Sequence, residues 1–191
     1  MTLLSTRHLV LLVILTALCV AIQVTPRPPN IEFTSLIVFL VGAVFGILFG
    51  AALGVLVMLI NGFLSPWGFS GMMLPFQMVG MVIVGIGGGM YRRSNVGPYT
   101  VGSCLETAVL GAFLTLTYDL ITNFGFAVTL ALMGTPLLLG FLNAIIFGAL
   151  FSIVHIVSNA AVFGIAFVPL TNTLQRFLGG ARTWKKDSIF T

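Results

Sequence analysis

The sequence predicts an all-α integral membrane protein, one domain of six transmembrane helices spanning residues 1–191 and ending in a short basic cytoplasmic tail. Three observations carry this reading. Charged residues make up 6% of the chain, hydrophobic ones 59%, and mean hydropathy is +1.17, whereas about a quarter of a water-soluble domain is charged. Apolar stretches cover nearly all of the 191 residues, which leaves no room for a separate soluble domain and no linker to mark one. The eight Lys and Arg lie beside apolar segments, where they report topology rather than a nucleic-acid surface.

The first apolar run, from His8 to Val24, follows Arg7. A signal peptide has a similar outline, but Leu18 before Cys19 excludes a lipoprotein box, and the run is taken as helix 1. "TPRPPN" then breaks it at Pro26, Pro28 and Pro29 into a stiff extended loop. From Thr34 to Leu64 there are 31 residues without a charge, against the roughly 20 that one span needs, which suggests two short spans. The recurrence of Gly42, Gly46, Gly50 and Gly54 argues the other way, since it would line one face of an unbroken helix. Helix 4 is predicted from Pro75 to Tyr91, with proline tolerated in the first turn. Helix 5 follows from about Val101 to Asn123. Residues 125–170 hold either a loop with its own helical part plus one span, or two spans, with the break at Gly134-Thr135-Pro136.

Charge asymmetry chooses between the alternatives. Six spans starting in the cytoplasm put Arg7, Arg92, Arg93, Arg176, Arg182, Lys185 and Lys186 inside and Arg27 alone outside. One span over residues 34–64, or two over 125–170, would move Arg92 and Arg93 or the basic tail outward and break the positive-inside bias. The chain is thereby placed in a prokaryotic cytoplasmic membrane, multi-pass, with both termini cytoplasmic. Cys19 and Cys104 then approach opposite faces, too far apart for a disulfide.

Three outward segments result: 25–33, 65–74 and the stretch after Asn123. Polar side chains gather toward that side, where lipid exposure would be costly. Asp119 and Asn123 share a face of helix 5 with Thr115, and Asp119 lies about 20 Å of helix rise beyond Glu106. In the last span Ser152, His155 and Asn159 form another stripe, and Gln77 sits near the start of helix 4. Ordinary interhelical hydrogen bonding explains any one of these residues. An acid, two Asn, a His and a Gln together exceed that need, which favours a ligand pocket between helices 4, 5 and 6 beneath the outer loops. Trp67 reads equally as an interfacial anchor and as part of a lid, and Glu32 either joins the pocket or is a solvated loop charge.

Gly68-Phe69-Ser70-Gly71 matches the G-x-S-G of rhomboid intramembrane serine proteases, and Ser70 with His155 would supply a nucleophile and a base. Ser70, however, lies in a Gly- and Pro-rich loop ahead of Pro75. "IVHIVSN" also lacks the small residues that let a rhomboid histidine pack against its serine helix, and the Trp-Arg loop motif and the earlier His and Asn are missing. A rhomboid-like hydrolase is therefore the alternative and not the leading reading. Neither H-E-x-x-H nor G-x-x-x-x-G-K-[ST] occurs, so neither zinc hydrolysis nor ATP binding is encoded, and no cofactor or metal is expected.

From Thr16 onward the chain resembles the substrate-binding S components of energy-coupling factor vitamin transporters. The resemblance rests on "PRPPNIEFTSLIVFLVGAVFGILFGAALG", "SPWGFSGMMLPFQMVGM", "YDLITN" and "HIVSNAAVF". Ala17 and Ala21 are similar to that family's A-x-x-x-A motif, through which helix 1 packs on the transmembrane T component. The resemblance implies a six-helix subunit without an ATPase of its own. Such a subunit captures a vitamin or related micronutrient at its outer face and is driven, through the T component, by two cytosolic ATPases. It also implies that the loops between helices 1 and 2, 3 and 4, and 5 and 6 close over the ligand. The site residues expected are Glu32, Trp67, Gln77, Asp119, Asn123, His155 and Asn159. Metal-carrying members begin Met-x-His where this chain has Met1-Thr2-Leu3-Leu4, which disfavours a metal. "PPNIEFTS", "SPWG" and "PFQM" resemble members linked to large cobalamin-like vitamins, and Asp119 and Glu32 favour a ligand with donor groups or positive charge.

Overall fold

A computed structural model describes residues 6–26, 28–66, 68–95 and 99–180, and within them the protein is all-helical. In order come α1 (Thr6–Val24), α2 (Thr34–Phe45), α3 (Ile47–Leu64), a short 3-10 turn at Gly71–Met73, α4 (Leu74–Ser94), α5 (Val101–Leu132) and α6 (Leu137–Gly180). Four stretches are long and apolar enough to cross a membrane: Ile47–Leu64, Gly71–Ser94, Val101–Leu132 and Leu137–Leu174. The apolar parts of α1 and α2 are shorter.

The uncharged stretch 34–64 does break in two, and it breaks at Gly46, whose φ of 103° belongs to the left-handed half of backbone space. The four-residue glycine spacing is explained by what the hairpin packs on. A Cβ at Gly50 would lie 2.6 Å from the Gly42 Cα and 2.9 Å from the Gly85 carbonyl oxygen. A Cβ at Gly42 would run into that same carbonyl, and one at Gly54 would come within 2.7 Å of the Met81 carbonyl. The glycines are therefore the seam along which α2, α3 and α4 meet backbone to backbone.

Around this seam lies the core. Phe39, Val38, Leu53, Val57 and Val84 are buried, joined by Phe163 and Phe167 of α6. Phe39 packs on Tyr91, Phe163 and Phe167 with ring centroids 5.2–5.9 Å apart. Helix 4 begins as expected, with Pro75 in its first turn. Helix 5 opens on a capping box in which Thr100 and Ser103 satisfy each other's backbone N–H.

The last two helices differ from the expectation. Helix 5 does not stop at Asn123 but continues to Leu132, and the segment after Asn123 is helix, not loop. Phe124–Leu132 holds no proline, and its one glycine, Gly125, packs against the Phe76 ring; the chain turns at Gly134, where φ is 97°, the first residue of the predicted break. Helix 6 then runs 44 residues and passes through Pro169, a length of about 66 Å at roughly 1.5 Å per residue. Phe147, Leu150, Val157 and Ile165 on its outer side are exposed, as expected of a surface facing lipid.

Candidate functional site

The polar side chains meet where α1, α3 and α5 end or pass and where α2 and α4 begin. On α5, Asp119 faces α6, and His155 Nδ1 donates to Asp119 Oδ1 at 2.7 Å. Asn159, one turn further along α6, is fully buried. Its Nδ2 donates to Glu32 Oε1 at 3.1 Å, and His155 Nε2 stands 3.7 Å from that same oxygen. Residues far apart in sequence thus form one chain, Asp119–His155–Glu32–Asn159.

Glu32 is held from the other side by α2. The Ser35 backbone N–H donates to both its oxygens, at 3.3 and 3.0 Å, so the carboxylate caps the helix N-terminus and interacts with the positive end of its dipole. Burial opposes ionisation of Glu32, yet the hydrogen bonds and charge of His155, with the bonds from Ser35, outweigh it and hold the carboxyl at about 2. Of the two sequence readings of Glu32, the solvated loop charge is thus excluded, since the residue is buried.

The loop carrying Glu32 is fastened to α6 elsewhere too. Asn30, at φ 60° where Asn is one of the better tolerated residues, donates from Nδ2 to the Phe151 carbonyl at 2.9 Å. Ser158 Oγ returns a bond to the Asn30 carbonyl at 3.0 Å.

Beside this cluster is a cavity of about 600 Å³, a size ordinary for small-molecule sites. The loop contributes Pro28, Pro29, Asn30 and Glu32, and α6 contributes Phe151 and His155. Gln23, Ser35, Met58, Asn61, Met81 and Tyr118 complete the wall from α1 through α5. The hollow therefore involves all six helices, not only the three expected.

Of the expected residues, Glu32 and His155 line the cavity, and Asp119 and Asn159 stand behind them, bonded to His155 and Glu32. Asn123 does share the Asp119 face of α5, but one turn further on, where it adjoins Gly148. There it lines a separate hollow of about 480 Å³ with Asn143 and Phe147. Gln77 on α4 is outside the cavity wall, and its Oε1 is buried without a partner. Trp67 lies outside the described residues. Ala17 and Ala21 are exposed and line an apolar groove between α1 and α3, with Val13, Val20, Leu56 and Ile60. No hydrogen bond joins His155 to Ser70: the imidazole is occupied by Asp119 and Glu32, and the Ser70 backbone N–H bonds the Gly62 carbonyl. Both cysteines are free.

Sequence reasoning missed Gln23, Asn30 and Asn61. Gln23 and Asn61 are single polar residues at the ends of apolar helices, the signal that singled out Asp119. Met58, Met81 and Phe151 carry no such mark. No known protein family, no curated protein and no solved structure matches the chain.

Proposed function

We propose that this protein is the substrate-binding subunit of an energy-coupling factor importer, embedded in a prokaryotic cytoplasmic membrane through six helices with both termini inside. In this role it captures a vitamin or related micronutrient at the outer face. The observation that carries the reading is the cavity of about 600 Å³ walled by Glu32, His155 and the loop 28–32 at one end of an apolar bundle. Buried charges in such a bundle are costly and mark a functional site by default. A loop that both walls the cavity and is latched to α6 suits a ligand gate. The exposed groove at Ala17 and Ala21 suits close packing of a T-component helix, since small side chains let backbones approach. Two cytosolic ATPases acting through that component supply the work.

The test is retention of small molecules. The protein is purified from its own membrane in mild detergent and the bound fraction identified by mass spectrometry, then Asp119→Ala and Asn159→Ala are treated alike. A retained compound lost in both variants supports capture at this cavity; a compound retained undiminished in both removes the site. A fluorophosphonate probe addresses the hydrolase alternative: labelling of wild type that disappears in Ser70→Ala would replace the transport reading.

A further inference from the structure

Among the described residues, the ionisable groups around the cavity do not balance. Glu32 and Asp119 each carry a negative charge when ionised, and His155 between them supplies at most one positive charge. Among the described residues that line the cavity there is no Lys or Arg. An uncompensated charge withdrawn from water is costly, and the usual remedy is an opposite charge with hydrogen bonds to match.

The hydrogen-bond inventory points the same way. Three donors of the wall are committed to protein acceptors: Asn30 Nδ2 to the Phe151 carbonyl, Gln23 Nε2 to Thr34 Oγ1 and the Tyr118 hydroxyl to the Met58 sulfur. Acceptors are left over. Asp119 Oδ2, Asn159 Oδ1 and Asn61 Oδ1 are all buried without a partner. Asp119 is 9% exposed and Asn159 0%, and each is bonded directly to a residue of the cavity wall, His155 or Glu32. Unpaired buried acceptors are rare, and Asn61 Oδ1, on a residue of the wall, calls for a donor from the cavity. Tyr118 and Phe151 add aromatic rings to the wall, surfaces to which cations are attracted.

Resting on the capture reading above, we infer that the cavity takes a small organic cation, its positive centre set against Glu32 and its N–H or O–H groups turned to Asn61 Oδ1, the spare acceptor that belongs to the wall. Protonation of one carboxylate meets the charge requirement without a cation, and it is the rival that the experiment separates.

Three probes of similar shape serve: benzyltrimethylammonium, its neutral isostere neopentylbenzene, and the anion phenylmethanesulfonate. Binding to the detergent-purified protein, cleared of retained molecules, is read as the shift in thermal unfolding over a concentration series. The cation is expected to bind at least about tenfold more tightly than the other two, and Glu32→Gln to abolish that preference. Asp119→Asn serves the same purpose if Glu32→Gln does not fold, because it removes the same charge without using the helix cap. Equal binding of the neutral probe, preferred binding of the anion, or no binding of the cation overturns the inference. So does a cation preference that survives both substitutions. The mass-spectrometric experiment keeps the two levels apart: a retained neutral or anionic compound sinks the cation and leaves capture standing. Nothing retained, together with no probe bound, sinks both.

Discussion

His155 Nδ1 lies 2.7 Å from Asp119 Oδ1, linking the middles of α5 and α6, with both side chains largely removed from solvent. Such a pair stabilises less by its own attraction than by the cost of leaving either member alone.

Asp119→Leu is therefore expected to cost about 3 kcal/mol by leaving His155 Nδ1 buried without its partner, Glu32 facing only the other ring nitrogen. The double variant Asp119→Leu with His155→Leu should be more stable than the sum of the single costs by at least about 1 kcal/mol. Denaturant unfolding in mixed micelles measures all three, and strict additivity would show that the two residues do not act as a pair.

The Glu32 carboxyl, in the loop ahead of α2, is held at about 2 against an ordinary 4.5. The folded protein thus resists its protonation more than the unfolded chain does. Its contribution is complete above the ordinary value and is lost as pH falls from about 4.5 toward 2. Thermal unfolding recorded across that interval should decline more steeply for wild type than for Glu32→Gln. Parallel declines would mean that Glu32 is not specially held.

Glycine substitutions should divide by location. At Gly88 a Cβ would collide with the Phe39 backbone carbonyl, which cannot move as a side-chain tip can, whereas at Gly102 it would meet only Thr100 Oγ1 at 3.5 Å. Gly88→Val is expected to cost upward of about 3 kcal/mol or to prevent folding, and Gly102→Ala to gain up to about 1 kcal/mol from helix propensity. Yield and unfolding temperature check both, and a well-folded Gly88→Val would contradict the seam.

Ala17→Leu with Ala21→Leu fills the groove on α1 while sparing the cavity. In the proposed importer this should abolish co-purification with the T component and leave small-molecule retention within about twofold of wild type. Loss of retention as well would indicate misfolding, and an intact complex would assign the groove no role in coupling.

Much of this arrangement was legible before any coordinates. The i, i+4 stripe of His155 and Asn159 and the lone acid Asp119 in an apolar run announced a shared polar site, because burial in lipid restricts where such groups can go. The break in residues 34–64 followed from the length of the uncharged run and from the placement of Arg92 and Arg93. What the glycine spacing meant was not legible, since the same periodicity serves one helix face or a hairpin pressed on a third helix. The end of α5 was misplaced because a span-length argument stops at the membrane and a helix need not; Phe124–Leu132 contains no proline, and Gly125 serves helix packing rather than termination. Glu32 was ambiguous because its partners, Ser35 aside, lie more than a hundred residues away.

The glycine seam of α2, α3 and α4 sets where this scaffold can change. Along Gly42, Gly50 and Gly85 backbone already touches backbone, so that half of the bundle tolerates almost no variation in volume. At the cavity, Phe151 is more than half exposed and borders the hollow, so a larger or smaller residue there would reshape it, whereas Met58 and Met81 accept from Tyr118 and Ser35 and are tied into the interhelical packing. In the proposed importer, a change of ligand would come first from replacing Phe151, while the glycines stay fixed.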